Sequence, residues 1–229
     1  MDVDRLGPAC ALARQLRGAA GLFKVGSQLF TAEGPRAVEK LAGLGFGIFL
    51  DLKFHDIPNT VAHAVTAAAG LPKVRMLTLH TLGGAEMMRA AREAVSGRKS
   101  RPALLGVTML TSHDAATLRE VGISGSPRSR ALALALLAKK AGLDGVVASA
   151  HEARTIRRAC GPKFLIVVPG VRPANTSAND QSRVATPAEA IRGGADYLVV
   201  GRPITGAAKP RDAALAIADE IALAGRRGR

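Results

Sequence analysis

Residues 46–60 read FGIFLDLKFHDIPNT, an apolar run that turns polar and then enters a segment of helical character. From Phe46 to Leu50 the run is continuously apolar, as expected for a parallel strand that is buried on both faces. Pro58 stands where a helix would begin, because proline is favoured in the first helical turn. The stretch therefore predicts one β-strand followed directly by one α-helix.

The same strand-then-helix unit recurs along the whole chain. The predicted strands are Leu22–Gly26, Phe46–Asp51, Val74–Leu79, Ala103–Thr108, Gly145–Ser149, Phe164–Pro169 and Tyr197–Gly201, with Met1–Val3 as the last piece of an eighth strand. The predicted helices are Pro8–Arg17, Gly34–Leu44, Pro58–Ala69, Ala85–Ser96, Arg128–Ala141, His151–Ala159, Pro187–Arg192 and Ala213–Ala224. Eight such units predict a (β/α)8 TIM barrel whose first strand is truncated, with an open doubly wound sheet as the alternative.

Length and composition limit the classes of protein to consider. The 229 residues allow one large domain or two small ones, and no linker or change of composition divides them, so we expect a single domain over residues 1–229. A hydrophobic content of 48% excludes long disordered stretches. No apolar run approaches the roughly 18 residues of a membrane helix. The two cysteines show no zinc-type spacing and the start of the chain lacks signal-peptide features, so we expect a cytoplasmic protein.

The charge balance is strongly basic, with 32 Lys and Arg against 18 Asp and Glu and a formal net charge of +14. Such an excess is also found in nucleic-acid-binding proteins, and RNA binding is the alternative from a different functional class. The basic residues are scattered, however, and aromatic residues that could stack on bases make up only 3% of the chain. We therefore expect no nucleic-acid partner and favour a small anionic substrate.

The polar end of the opening stretch carries the candidate chemistry. In an extended strand residues i and i+2 point to the same side, so Asp51 and Lys53 are predicted to project together, with Asp56 at the entry to the next helix. A carboxylate keeps a neighbouring ammonium charged, and a charged lysine can donate a proton. The alternative is a structural ion pair in which Asp56 only caps the helix.

Polar residues also stand at the carboxyl ends of other predicted strands, and in a barrel these ends meet at one face, where active sites lie. They are Asp2, Lys24, His80, Thr111, Arg172 and Arg202. Gly201-Arg202 and Gly170-Val171-Arg172 resemble phosphate-binding turns, because glycine lets the backbone approach an anion closely. The long connection over residues 170–186 is predicted to be a functional loop that closes over the site.

Several longer strings make a specific resemblance. Over essentially the whole chain, and in order, the sequence resembles the bacterial orotidine 5'-monophosphate decarboxylase family. The matching strings are FKVGSQLFTAEGP (23–35), DLKFHDIPNTV (51–61), LTLHTLGG (77–84), GVTMLTS (106–112), VPGVRP (168–173), NDQSRVATP (179–187) and VVGRPI (199–204). The chain departs from the family at Ser27-Gln28 and begins at the Asp2 motif itself.

The resemblance implies a role for each matching residue. Lys24, Asp51, Lys53 and Asp56 would form the catalytic array, with Lys53 as the proton donor. Asp2 and Lys24 would hold the ribose hydroxyls, and Thr60 and Thr111 would line the nucleotide site. A separate group would hold the phosphate and close over the base: Arg172, Gln181, Gly201 and Arg202.

The resemblance also implies a homodimer, in which Asp56 and Thr60 reach the partner subunit's site. The reaction would convert orotidine 5'-monophosphate to uridine 5'-monophosphate and carbon dioxide in pyrimidine biosynthesis, without a cofactor or metal. The alternative within enzymes is a magnesium-dependent sugar-phosphate decarboxylase of the same barrel superfamily.

Overall fold

The computed structural model describes residues 1–173 and 185–226. Its seven strands form one parallel sheet in chain order: β1 (Leu22–Gly26), β2 (Gly47–Phe54), β3 (Val74–His80), β4 (Ala103–Val107), β5 (Gly145–Val147), β6 (Leu165–Pro169) and β7 (Tyr197–Val199). The helices are α1 (Leu6–Gln15), α2 (Ser27–Glu33), α3 (Pro35–Gly43), α4 (Pro58–Gly70), α5 (Gly84–Glu93), α6 (Ala115–Glu120), α7 (Pro127–Lys140), α8 (Ala150–Cys160), α9 (Pro187–Arg192), α10 (Arg202–Thr205) and α11 (Pro210–Arg226), with a 3₁₀ turn at Thr81–Gly83.

The sheet curves into a nearly closed barrel with helices between the strands. Inside it lies a small apolar cluster of Phe49, Met76, Leu105 and Val167, one residue from each of four strands. The larger core fills the layer between strands and helices and includes Leu50, the neighbour of Phe49 in β2. Strand residues are thus buried alternately on the inner and outer faces, which is why the strands are continuously apolar in sequence.

The predicted barrel is confirmed, and the open doubly wound alternative is wrong because the strands follow one another in chain order. The predicted eighth strand at Met1–Val3 is not formed: these residues have no strand assignment. The N-terminal ammonium of Met1 donates to the carbonyl oxygen of Lys24 at 2.8 Å. Helices of four to seven residues carry little periodicity: among the described ones α9 was predicted, whereas α2, α6 and α10 were not.

The amino-terminal end of the barrel is fixed by two aspartate–arginine pairs. Asp144, just before β5, accepts two hydrogen bonds from the Arg101 guanidinium at 2.6 and 2.7 Å and one from the Leu104 N–H at 2.8 Å. Asp196, just before β7, accepts from Arg157 at 2.5 Å and from the Ile166 N–H at 2.8 Å. Each carboxylate therefore ties the start of its own strand to the start of the preceding one.

No helix within residues 1–173 and 185–226 is long and apolar enough to cross a membrane.

Candidate active site

The carboxyl-terminal end of the barrel holds a cluster of charged side chains around Asp51. One oxygen of this carboxylate, Oδ2, lies 2.9 Å from the Lys53 ammonium and 3.3 Å from the Lys24 ammonium. Lys24 in turn lies 3.6 Å from Oδ1 of Asp2. The structure thus brings together four of the predicted residues, contributed by β1, β2 and the start of the chain. We call Asp2, Lys24, Asp51 and Lys53 the charged array.

A local irregularity in β2 sets the position of Lys53. Its backbone is left-handed, with φ of +51°, and the register with β3 shifts between Leu50 and Phe54. A non-glycine residue in this conformation stores on the order of 1–3 kcal/mol of strain, which the surrounding contacts must offset. Asp51 and Lys53 therefore meet through a distorted strand end, and the simple extended alternation expected from the sequence does not hold here.

Thr78 on β3 holds this irregularity in place. Its hydroxyl donates to Oδ1 of Asp51 at 2.9 Å and accepts from the Lys53 N–H at 2.9 Å. Thr78 is completely buried, so both hydrogen bonds are shielded from water. One side chain thereby fixes both the carboxylate and the backbone of the lysine beside it.

The electrostatic balance keeps Asp51 ionised. Burial of its carboxyl group favours the neutral form, but Lys24, Lys53 and the hydrogen bonds from Lys53 and Thr78 together outweigh burial and lower the pKa of Asp51. The array therefore presents a fixed negative charge between two ammonium groups. Because a lysine ammonium has three donors, neither lysine is saturated by Asp51 alone.

A cavity of about 530 Å³ opens onto the array. Eight predicted site residues line it: Asp2, Lys24, Asp51, Lys53, Thr111, Arg172, Gly201 and Arg202. A more open depression of about 800 Å³ lies at the amino-terminal end, lined in part by Lys99, Arg101 and Lys163. The smaller cavity is the better candidate, because barrel active sites form at the carboxyl ends of the strands.

Two arginines on neighbouring segments mark the predicted phosphate-binding region. Arg172 follows β6 and is buried, and its backbone N–H donates to the carbonyl oxygen of Ala185 at 3.0 Å. Arg202 follows β7 after Gly201, is exposed, and begins the short helix α10. Both line the cavity that holds the charged array. Gln181, the other residue predicted for this region, lies outside the described residues.

The structure does not bring Asp56 and Thr60 to the array of their own chain. Both are exposed, and Oδ1 of Asp56 accepts a hydrogen bond from the Ile57 N–H at 2.6 Å. Ile57, a large apolar residue, is 66% exposed beside them. Within the part of the chain that the structure describes, neither residue forms a hydrogen bond or ion pair with Lys24, Asp51 or Lys53.

His80, at the end of β3, lies near the array as an uncharged neighbour. Burial lowers its pKa, and the proximity of His55 and Lys53 lowers it further. The His55 and His80 ring centroids are 5.6 Å apart. At neutral pH His80 therefore adds no positive charge beside Lys53. Among the described residues, no group of three or more His, Cys, Asp or Glu side chains is arranged to hold a metal ion.

Comparisons with known proteins agree with this geometry. Residues 1–217 match the model of the "Orotidine 5'-phosphate decarboxylase / HUMPS family". The chain belongs to this family. It is 54% identical over 225 residues to an orotidine 5'-phosphate decarboxylase of Halorhodospira halophila, covering 98% of this chain and 95% of the relative. It is 53% identical over 221 residues to the Nitrosococcus oceani protein of the same name, covering 96% and 95%.

A solved structure extends the family assignment to three dimensions. The crystal structure of orotidine 5'-phosphate decarboxylase from Lactobacillus acidophilus superposes with a TM-score of 0.80 at 37% identity, covering 96% of each chain. The family predicted from the sequence is therefore confirmed. Sequence reasoning missed Thr78: it stands inside the matching string LTLHTLGG, but a threonine within an apolar strand carries no signal of its partners.

Proposed function

We propose that this chain decarboxylates orotidine 5'-monophosphate to uridine 5'-monophosphate and carbon dioxide, as a carboxy-lyase of pyrimidine biosynthesis. The observation that carries the proposal is an ionised, buried Asp51 held between two ammonium groups at the mouth of the barrel cavity. The shared name of the relatives supports this activity over the magnesium-dependent sugar-phosphate alternative.

The chemistry requires such an array. Loss of carbon dioxide leaves a carbanion at position 6 of the pyrimidine, and no adjacent carbonyl can delocalise this charge as an enolate. Stabilisation must then come from fixed positive charge next to the carbon. In our proposal the Lys53 ammonium supplies that charge and then transfers a proton to carbon 6, while the electron pair of the broken C–C bond becomes the new C–H bond.

Asp51 and Thr78 have complementary roles in this scheme. Asp51 holds the Lys53 ammonium and places a negative charge near the substrate carboxylate, which favours its departure as neutral carbon dioxide. Thr78 is a positioning residue, because it touches Asp51 and the Lys53 backbone and not the cavity itself. The strain at Lys53 is thus balanced by contacts that serve the reaction.

The remaining cavity residues bind the rest of the nucleotide. We propose that Asp2 and Lys24, 3.6 Å apart, hold the ribose hydroxyls and that Thr111 contacts the base. Arg172, Gly201 and Arg202 would bind the phosphate, joined by Gln181. Binding energy released at the remote phosphate would then hold the reacting group against the array, so that it lowers the barrier as well as KM.

We further propose a homodimer whose two sites are each completed by Asp56 and Thr60 of the opposite subunit. The support is that both residues are exposed and next to the exposed Ile57, with a second exposed apolar residue, Leu82, in the nearby 3₁₀ turn. A contact that buries these apolar side chains would place Asp56 at a subunit boundary. In this scheme the chain is a single domain that acts in the cytoplasm, where its two free cysteines stay reduced.

The direct test is the fall in ultraviolet absorbance of orotidine 5'-monophosphate, measured with the purified protein in the presence and absence of EDTA. We expect equal turnover in both conditions. No fall in absorbance would contradict the proposal, and magnesium-dependent decarboxylation of a sugar phosphate by the same protein would favour the alternative. The Lys163→Ala variant, which removes an exposed lysine at the other end of the barrel, should show the same turnover as the wild type.

A further inference from the structure

Helix α2 follows β1 without a loop, and it contacts the segment over residues 2–6 at two points. Near the start of α2, the Gln28 side-chain amide donates to Oδ1 of Asp4 at 2.5 Å. At the end of α2, Oε1 of Glu33 accepts a hydrogen bond from the Leu6 N–H at 2.9 Å. We call these two hydrogen bonds the α2 clamp. The clamp therefore ties this segment to the end of β1.

Both contacts of the clamp supply a group that the segment itself lacks. Helix α1 begins at Leu6 after Arg5, which provides no side-chain cap, and its first turn has no acidic residue. The Glu33 carboxylate accepts from one of the N–H groups that a helix start leaves unpaired, and it places a negative charge at the positive end of the helix dipole. The Asp4 carboxylate can only accept hydrogen bonds, so the Gln28 amide is the donor.

The Asp2 side chain needs support from its backbone, because its own contacts hold it weakly. It is 62% exposed, and its shortest ionic contact is 3.6 Å to the Lys24 ammonium. An exposed ion pair of that length contributes little to fixing a side chain. The carboxylate nevertheless lies close to the junction of β1 and α2, since a Cβ atom added at Gly26 would be 3.7 Å from its Oδ1. One continuous stretch of chain thus carries both Lys24 and the α2 clamp.

We propose that Gln28 and Glu33 are positioning residues for ribose recognition. They hold the backbone that follows Asp2, so that its carboxylate stays beside Lys24 and faces the ribose hydroxyls of a bound nucleotide. The inference rests on the proposed function, in which Asp2 and Lys24 hold these hydroxyls. It also gives a reason for Gln28, where the chain departs from the family, because a carboxylate at this position would repel Asp4.

The first test exchanges donor and acceptor across one contact of the clamp. Gln28→Glu removes the donor and opposes two carboxylates, whereas Gln28→Glu combined with Asp4→Asn restores one amide and one carboxylate. Calorimetry measures the Kd of uridine 5'-monophosphate and of its 2',3'-dideoxy analogue, which lacks both ribose hydroxyls. We expect Gln28→Glu to weaken binding of the first about fivefold and of the analogue by less than about twofold. The double variant should bind both within about twofold of the wild type.

The second test removes the other contact of the clamp. Glu33→Ala should lower the preference for uridine 5'-monophosphate over the dideoxy analogue by about threefold. Gln15→Glu is the matched control, because it makes the same chemical change as Gln28→Glu at the exposed last residue of α1. Both Kd values of this control should stay within about twofold of the wild type.

The ratio of the two Kd values separates ribose positioning from a general loss of structure. An unchanged ratio in Gln28→Glu or in Glu33→Ala would overturn the proposal, even if both nucleotides bound more weakly. So would a double variant that binds like Gln28→Glu, or a wild type that binds the two nucleotides equally. None of these measurements uses turnover, so this proposal and the proposed decarboxylation can fail separately.

Discussion

At the amino-terminal end of the barrel Asp144 faces one arginine, whereas at the carboxyl-terminal end Asp51 faces two lysines. The planar Arg101 guanidinium binds both oxygens of Asp144, and a backbone N–H completes the contact. Lys24 and Lys53 meet Asp51 through single atoms and keep donors for a ligand. Guanidinium–carboxylate pairs fix geometry, while ammonium groups remain available for chemistry.

The two ends of the barrel also differ in backbone strain. Asp144 and Asp196 stand just before β5 and β7, and their carboxylates accept hydrogen bonds from N–H groups at the starts of β4 and β6. Lys53 instead occupies a left-handed conformation at a shifted register, held by Thr78. One end thus stabilises the fold, and the other uses part of that stability to hold a strained group in place.

Lys53→Ala tests the carboxyl-terminal end most strongly. If Lys53 stabilises the carbanion and protonates it, the loss of both roles lowers kcat by at least about 10⁴-fold. We expect the variant to fold, because Lys24 and Thr78 still contact Asp51, although alanine keeps the left-handed strain at position 53. Initial rates and urea unfolding check the two statements, and a variant with more than a tenth of wild-type turnover would refute the role of Lys53.

Arg101→Ala makes the opposite change at the amino-terminal end. It leaves the half-buried Asp144 carboxylate without its guanidinium, so we expect a loss of about 2 kcal/mol in the free energy of unfolding. The kcat measured at 25 °C should stay within about twofold of the wild type, since the array is untouched. A large fall in kcat in the folded variant would show that the two ends are not independent.

Thr78→Val should change both kcat and the free energy of unfolding. Valine keeps the volume but removes the hydroxyl that donates to Asp51 and accepts from Lys53, so kcat should fall about tenfold with little change in KM. The expected loss in the free energy of unfolding is about 1 kcal/mol. Thr78→Ser, which restores the hydroxyl, should recover most of the kcat; failure of serine to do so would show that packing alone sets the effect.

The smallest expected effect is on the pH dependence of stability. The pKa values of Asp51 and Asp144 are both lowered in the folded chain from the ordinary value of 3.8. Their stabilisation is therefore fully present above the unfolded pKa and is lost as pH falls below about 4 towards the folded values. Urea unfolding between pH 3 and 6 should show this decline, and Asp144→Asn should flatten it in part. An unchanged slope in that variant would contradict the contribution of Asp144.

Which parts of the molecule could be predicted from the sequence depends on the range of the interactions. Strands such as Val74–His80 were anticipated within one residue, because burial on both faces leaves a continuous apolar run. Helix α6, with six residues, was missed. Its start depends on the Asp114 side chain, which accepts a hydrogen bond from the Thr117 N–H. A single hydrogen bond between a side chain and the backbone leaves no periodic pattern in the sequence.

The sequence by itself determined the barrel, the family and the identities of the charged residues, because apolar runs and motif strings are properties of consecutive residues. Only the tertiary structure decided that Thr78 joins Asp51 to Lys53, that the β2 register shifts at the array, and that the described strands β1 and β7 do not pair with each other. These features depend on contacts between residues that are distant along the chain. Hydrogen bonds and strand edges of this kind are fixed only when separate strands come together in space.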